Sequence, residues 1–147
     1  MFKKMLVPVD GSALAHAAGE LAAELARLHG AQVVGVYVID PFPYIGIGDA
    51  SVVGLQAYLA EAQAAAGKAL DDLRQVCAAR GVPFAGDTIE RNVTYEGILE
   101  TAEAEGCDLI VMGSHGRKGV QALILGSVAQ KVLTHAKVPV LIVKPQV

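Results

Sequence analysis

Three glycines and a serine near the C-terminus have a spacing that suits phosphate binding. Gly113 and Gly116 follow a short apolar run, and Gly126 with Ser127 opens a later amphipathic segment. A buried strand that ends in glycines and leads to a helix start presents converging backbone N–H groups and the positive end of the helix dipole. A connection of about a dozen residues is also long for a strand-to-helix loop, which favours a functional role. The pattern predicts a loop that holds the phosphates of a nucleotide.

Several of the polar residues in this pattern have a simpler explanation. Ser127 and Gln130 have the spacing of a capping box, which would contribute about 1 kcal/mol of helix stability. A cap accounts for neither Gly113 nor Gly116, so the spacing still favours a phosphate loop. Asp10 could complement the dipole of the first helix instead of contacting a ligand, and both interpretations stay open at this point.

The basic residues of the loop contribute less to the prediction. Arg117 and Lys118 suit phosphate, but they could equally be solvated charges, and they are left out of the predicted site. His115 is expected to make a contact and not to act as a catalyst. Cys77 and Cys107 form no CxxC pair, which predicts reduced structural thiols.

The rest of the chain supplies alternating strands and helices. Apolar β-branched runs predict strands, and apolar residues at helical spacing predict amphipathic helices. In the first helix, the predicted core face carries Leu14, Ala17, Ala18, Leu21, Leu25 and Leu28. The predicted strands cover 5–9, 32–39, 83–90, 108–112 and 138–143, and the predicted helices cover 14–29, 51–80, 94–105 and 127–136.

This alternation predicts an α/β fold with an open five-stranded parallel sheet, strand order 3-2-1-4-5, and helices on both faces. Such a sheet binds ligands beyond the carboxyl ends of its strands, where the strand order reverses. That point lies between strand 1 and strand 4, so Asp10 is expected beside the glycine-rich loop. The strand over 83–90 is expected at a sheet edge.

Length and composition define the class of protein. A chain of 147 residues predicts one domain over 1–147, and a net charge of −3 without tryptophan disfavours nucleic-acid binding. No apolar run approaches the roughly 18 residues of a membrane helix, so neither a membrane nor a nucleic-acid partner is expected. The expectation is a soluble cytoplasmic protein.

The whole pattern resembles the ATP-binding branch of the universal stress protein family. That branch carries the motif G-x2-G-x9-G-(S/T), which here starts at Gly113 and ends at Gly126-Ser127. Three further segments match: VPVDGS from Val7, YVID from Tyr37 and VPVLIV from Val138. The resemblance covers nearly the whole chain, except residues 42–53 and the following helix. It implies a Rossmann-like fold of the adenine nucleotide alpha hydrolase type.

The resemblance also implies an ATP site with a divalent cation, Mg²⁺, carried by the phosphates. Asp10 and its neighbours would face adenine and ribose, the main chain of Val38 would meet the adenine edge, and the glycines would let the backbone approach the phosphates. No catalytic residue and no protein metal ligand is implied. The implied binding residues are Pro8, Val9, Asp10, Val38, Met112, Gly113, His115, Gly116, Gly126, Ser127, Val128 and Ala129.

The function expected from this site is regulation of the stress response by bound ATP, with at most slow hydrolysis. The alternatives are a weak ATPase, an adenylating enzyme, or a nucleotide-free dimeric interaction protein on the same fold. An adenylating enzyme of the ATP-pyrophosphatase type would carry an SGGxDS-like loop, where this chain has Asp10-Gly11-Ser12. The complete glycine pattern disfavours the nucleotide-free alternative.

A partner is predicted from the last strand. The strand from Val138 to Val143 is apolar and lies at a sheet edge in the predicted order. An exposed apolar edge is prone to pair with another strand. Pairing with its own copy across a two-fold axis would cover it, so a homodimer is expected.

Overall fold

The computed structural model describes residues 1–41, 51–116 and 124–146, and strands and helices alternate along these ranges. None of the helices in these ranges is long and apolar enough to cross a membrane. The elements, in chain order, are β1 Lys4–Pro8, α1 Ala13–His29, β2 Gln32–Ile39, α2 Ser51–Ala79, β3 Phe84–Glu90, α3 Thr94–Glu105, β4 Leu109–Gly113, α4 Ser127–His135 and β5 Val140–Val143.

The strands form one parallel sheet in the order β3-β2-β1-β4-β5. The predicted α/β fold class and strand order are confirmed, and β3 and β5 lie at the two edges as expected. β5 begins at Val140, two residues later than predicted, because its pairing with β4 starts at Ile110↔Val140.

Helices cover both faces of the sheet, and each face has its own core. On one face, Met5 and Val7 of β1 pack with α1 and with Leu70 and Leu73 of α2. On the other face, Leu6 packs with the cluster formed by α3 and α4. Alternate residues of β1 therefore enter different cores, which explains why its apolar run is continuous.

The predicted core face of α1 is wrong by part of a turn. Its buried residues are Ala15, Ala18, Gly19, Ala22, Ala23 and Ala26, whereas Leu21 is 39% and Leu28 is 66% exposed. A Cβ on Gly19 would lie 2.7 Å from Leu73 Cδ1. Close packing against α2 and the sheet thus requires the small-residue face, and it leaves the leucines on the flank of the helix.

Candidate functional site

A cavity of about 740 Å³ opens at the carboxyl ends of the strands. β1 and β4 pair at Met5↔Leu109 and Leu6↔Ile110, and each strand continues beyond these pairs, which is where the strand order reverses. The volume suits a small-molecule ligand. All twelve residues predicted for the site line this cavity: Pro8, Val9, Asp10, Val38, Met112, Gly113, His115, Gly116, Gly126, Ser127, Val128 and Ala129.

Asp10 lies in the turn between β1 and α1, outside the helix. Its Oδ1 accepts a hydrogen bond from the Ser12 N–H at 2.9 Å. Ser12 is the N-cap of α1, and its hydroxyl accepts from the Ala15 N–H at 3.1 Å. Because Ser12 caps the helix, Asp10 is not a first-turn residue, and its carboxylate lines the cavity.

Ser114 organises the loop that follows β4. Its side chain is 2% exposed, its N–H donates to the Val143 carbonyl at 2.8 Å, and its own carbonyl accepts from the Gly126 N–H at 2.7 Å. The second bond returns the chain to the end of β4 after the long connection. Sequence interpretation overlooked Ser114, because a serine at the end of a strand carries no motif of its own. Arg117 and Lys118 lie outside the described residues.

The glycines of the loop lie close to other parts of the chain. A Cβ on Gly113 would lie 2.9 Å from Leu14 Cγ, and one on Gly126 would lie 2.9 Å from the Ser114 carbonyl oxygen. A Cβ on Gly116 would collide with Asp10 Oδ2. The expectation that these glycines make room for phosphates is therefore incomplete, since each already makes room for a neighbouring part of the chain.

The first turn of α4 opens into the cavity without a side-chain cap. Gly126 is the N-cap, in extended conformation (φ −64, ψ 157), and no side chain within the described ranges bonds there. The capping-box interpretation of Ser127 and Gln130 is wrong, because the Gly126 carbonyl accepts the first helical bond, from the Gln130 N–H at 2.9 Å, which makes Gly126 the N-cap and Ser127 the first helical residue. The N–H groups at the start of an α-helix lack partners within the helix and attract anions.

The opposite wall of the cavity was not predicted. Tyr58, Glu61, Ala62 and Ala65 of α2 line it at i, i+3, i+4 and i+7, which is one face of a helix. The Tyr58 hydroxyl donates to the Asp40 carbonyl at 2.7 Å, so α2 is attached beside the end of β2. The same spacing is typical of a helix face that packs in a core, and Ala62 and Ala65 do pack against the core cluster beneath α2.

Charge is distributed unevenly around the cavity. The acidic lining residues are Asp10, Asp40 and Glu61, and among the described lining residues there is no lysine or arginine. They follow β1 and β2 or belong to α2, whereas the first turns of α3 and α4, neither of which has a side-chain cap, reach the lining at Thr94 and Ser127. The cavity therefore extends from the end of β2, with Asp40 and Glu61, to the first turn of α4 beside β4, and the Asp10 carboxylate lies beside Gly116 in the loop after β4. We call the first of these regions the β2 end and the second the β4 end.

The sequence and the fold of this chain are similar to those of one protein family. Residues 1–144 match the family model described as the universal stress protein family. Universal stress protein MJ0531 of Methanocaldococcus jannaschii is 34% identical over 144 residues, covering 98% of this chain and 83% of that protein. The structure of MJ0577 from the same organism superposes with a TM-score of 0.86 at 26% identity, covering 100% of this chain and 99% of that chain.

A second solved structure contains a nucleotide. The universal stress protein from Archaeoglobus fulgidus in complex with dAMP superposes with a TM-score of 0.65 at 26% identity, covering 97% of this chain and 98% of that chain. The match of the family model covers almost every residue of the chain, and the relatives are similar over their whole length or most of it. This chain belongs to the universal stress protein family.

Proposed function

We propose that this protein is an ATP-binding regulatory protein of the stress response, which holds ATP in the cavity between β1 and β4. The observation that carries the proposal is that four chain segments, far apart in sequence, supply twelve expected residues to one cavity. The dAMP complex of the Archaeoglobus fulgidus relative supports an adenine nucleotide as the ligand.

The phosphates would bind at the β4 end. Ser127, Val128 and Ala129 line the cavity at the first turn of α4, where backbone N–H groups and the helix dipole favour negative charge. The Ser127 hydroxyl would add one hydrogen bond. Since these donors belong to the main chain and one hydroxyl, they bind phosphate without adding positive side chains to the cavity.

The nucleoside would bind at the β2 end. The main chain of Val38 would meet the adenine edge, and the Asp10 carboxylate would accept hydrogen bonds from the ribose hydroxyls. Pro8, Val9 and Met112 would supply apolar surface for the rings. This orientation keeps the anionic part of the ligand away from the carboxylates at the β2 end.

Mg²⁺ enters the proposal as a partner of the phosphates, whose oxygens suit that cation. Within the described ranges, no cluster of three or more His, Cys, Asp or Glu residues could hold a metal ion. The carboxylates that line the described part of the cavity follow β1 and β2 or belong to α2, and none of them belongs to α4. A general base beside the phosphates is therefore not part of the proposal, and we expect hydrolysis to be slow at most. We propose a cytoplasmic location, where ATP is abundant and thiols stay reduced.

The test is direct measurement of nucleotide binding. The purified chain is denatured, and the supernatant is chromatographed for a bound adenine nucleotide. The refolded or nucleotide-free chain is then titrated calorimetrically with ATP, with and without Mg²⁺. If neither the purified protein nor the protein incubated with ATP retains nucleotide, a nucleotide-free interaction protein replaces this proposal. Phosphate release at rates typical of enzymes would favour an ATPase.

A pair of charge variants separates binding from folding. Ser127→Asp places a carboxylate at the start of α4, which favours the helix dipole but repels phosphate. ATP affinity should fall by roughly tenfold or more, while the unfolding midpoint stays equal or rises. Gln130→Glu adds the same charge to the same helix at an exposed residue that does not line the cavity. If both variants lose affinity equally, the site is not at the first turn.

We further propose that two copies pair through the β5 edge. Antiparallel pairing about a two-fold axis perpendicular to the sheet would bring α1 beside its symmetry mate on one face and α4 beside its mate on the other. Leu21 and Leu28 lie on the flank of α1 that carries Leu14 and Leu25, and Leu133 lies on the flank of α4 away from its contact with α3. Pairing at β5 would cover these exposed leucines.

Sedimentation of charged variants tests this dimer. Leu28→Lys and Leu133→Lys each fall in the last turn of a helix, where a cation interacts favourably with the dipole, so the protomer should stay folded. We expect both to shift the protein from dimer to monomer at micromolar concentration. Val93→Asp removes a comparably exposed apolar side chain at the N-cap of α3 and should leave the dimer intact. A monomeric wild type would contradict the proposal.

A further inference from the structure

The buried hydroxyl of Ser114 has no role in the proposed ATP site, because Ser114 does not line the cavity. Among the side chains that the structure describes, Ser114 and Thr101 are the two buried serine or threonine residues. The Thr101 hydroxyl donates to the Gly97 carbonyl at 2.8 Å within α3. The Ser114 hydroxyl is paired, within the described ranges, with one atom, the Nδ1 of His115 at 3.2 Å. His115 does line the cavity.

The direction of this bond determines which nitrogen of His115 carries the proton. In a neutral imidazole, one nitrogen carries a proton and donates, and the other accepts. If Nδ1 carried the proton, the Ser114 hydroxyl would accept it, and the hydroxyl proton would have no acceptor on a residue that is 2% exposed. A buried donor without a partner costs free energy. The hydroxyl is therefore the donor and Nδ1 the acceptor, which leaves the proton of His115 on Nε2.

His115 lies against the first turn of α4. A Cβ on Gly126, the N-cap of this helix, would lie 3.0 Å from both the Cα and the Cβ of His115. Since Nδ1 is occupied by Ser114, Nε2 is the ring nitrogen that remains for a ligand. A neutral imidazole beside this turn adds a side-chain donor to the main-chain donors of α4, and it adds no charge.

We propose that Ser114 is a positioning residue, which holds His115 in the Nε2–H tautomer so that this N–H donates to a phosphate oxygen of the bound nucleotide. This role rests on the proposed nucleotide function, and it assigns the contact of His115 to one ring nitrogen and to one part of the ligand. Ser114 acts through His115, as a residue behind a binding group commonly does. Loss of its hydroxyl should therefore weaken the binding of ligands that carry phosphate and of no others.

NMR spectra of the nucleotide-free protein test the tautomer. Long-range ¹H–¹⁵N correlations, recorded at pH 8, above the range in which histidine ordinarily gains a proton, should show a proton on Nε2 of His115 and none on Nδ1. Ser114→Ala removes the hydroxyl and keeps both backbone hydrogen bonds of this residue, and it should add a population of the Nδ1–H tautomer. A protonated Nδ1 in wild type, or identical spectra of the two proteins, would overturn the assignment.

Calorimetric titration at the same pH tests the consequence for binding. Ser114→Ala should weaken ATP binding roughly three- to tenfold, and it should leave the binding of adenosine, which has no phosphate, unchanged. Thr101→Val is the matched control, because it removes the other buried hydroxyl and Thr101 does not line the cavity. Both affinities should stay as in wild type in this control.

Two substitutions of His115 show which ring nitrogen matters. A glutamine amide reaches the position of Nε2, whereas the shorter asparagine amide reaches that of Nδ1. His115→Gln should keep the ATP affinity within roughly threefold of wild type, and His115→Asn should lower it roughly tenfold. Added to His115→Asn, Ser114→Ala should have no further effect, since it acts through the ring.

Failure of this role differs from failure of the proposed function. If wild type binds ATP and Ser114→Ala binds it equally well, or if Thr101→Val weakens it as much, Ser114 does not position a binding group. If Ser114→Ala weakens adenosine as much as ATP, the contact of His115 is not with phosphate. If wild type binds neither ATP nor adenosine, both the role of Ser114 and the nucleotide function are overturned.

Discussion

The two ends of the cavity are built by different means. The β4 end consists of main chain from one stretch of sequence, held in place by the bonds of Ser114 and by glycines that admit close neighbours. The β2 end consists of side chains from separate elements, including Tyr58 and Glu61 of α2. The β4 end depends on backbone geometry, and the β2 end depends on the side chains that β2 and α2 present.

This difference determines how each end should respond to mutation. At the β4 end, a methyl group added to Gly126 would meet backbone atoms of Ser114 and His115, so strain should spread into the fold. At the β2 end, a substitution on α2 changes the shape or charge of a wall and leaves the sheet unaltered. A larger residue at Gly126 should therefore cost both stability and affinity, whereas variants on the α2 wall of the β2 end should chiefly lose affinity.

The largest effect is expected for Gly126→Ala. The new Cβ would lie 2.9 Å from the Ser114 carbonyl oxygen and 3.0 Å from His115 Cα. We expect roughly 1–3 kcal/mol of lost stability in urea unfolding and a loss of ATP binding in calorimetry. Gly67→Ala is the control, because its Cβ would meet nothing within 4 Å and alanine favours the interior of α2. A stable Gly126→Ala protein with normal ATP affinity would contradict the proposed difference between the β4 end and the β2 end.

Gly116→Ala should have an intermediate effect, because it links the two ends. Its Cβ would collide with Asp10 Oδ2, a side-chain atom that can move. We expect stability to change little and ATP affinity to fall roughly tenfold, which corresponds to about 1.4 kcal/mol. In an Asp10→Ala background the same change should cost much less, as a double-mutant cycle measures. Equal costs in both backgrounds would show that Asp10 is not the partner.

Ala62→Leu should have a smaller effect, confined to binding. Ala62 lines the cavity, so leucine narrows the β2 end and should weaken ATP binding by several-fold in titration, roughly 1 kcal/mol. Ala64→Leu makes the same change slightly further along α2, at a residue that is exposed and outside the cavity lining. Equal affinities of the two variants would remove α2 from the binding site.

A further effect, on stability and only at high pH, concerns two buried thiols beside the two ends. Burial raises the pKa of Cys77, on α2, from 9.0 to about 11, and it raises the pKa of Cys107, just before β4, to about 11. The unfolded chain therefore loses these protons first, so stability should fall as pH rises from about 9 toward 11 and should not depend on these thiols below that range. Cys77→Ala and Cys107→Ala should each reduce this slope in urea unfolding measured at successive pH values. An unchanged slope in both variants would contradict the assignment.

The sheet could be predicted from the sequence because each buried strand is marked by its own short apolar run. Continuous apolar runs define the buried strands, and their alternation with helices indicates a parallel sheet covered on both faces. The face of α1 was predicted wrongly because leucines outweigh alanines in an apolar pattern, whereas the approach of Leu73 to Gly19 selects the small residues. That choice depends on a neighbour more than fifty positions away in the chain.

The candidate site was likewise predicted in one part and missed in another. The β4 end follows from glycine spacing, and the alternative of a capping box at Ser127 and Gln130 is excluded because Gly126 is the N-cap of α4. The wall of α2 was missed because Tyr58 and Ala62 have the spacing of core residues. A helix face that lines a cavity and a helix face that packs on a sheet carry the same sequence pattern.

Ser114 connects two regions that the sequence separates widely. Its N–H is bonded to Val143, the last residue of β5, and its carbonyl is bonded to Gly126 at the start of α4. One buried residue thus serves as a common attachment point for the sheet edge and for the first turn of α4. If the end of β5 frays, Ser114 loses one of the two backbone bonds that hold it in place. We therefore expect the first turn of α4 to stay ordered only while the end of β5 stays paired.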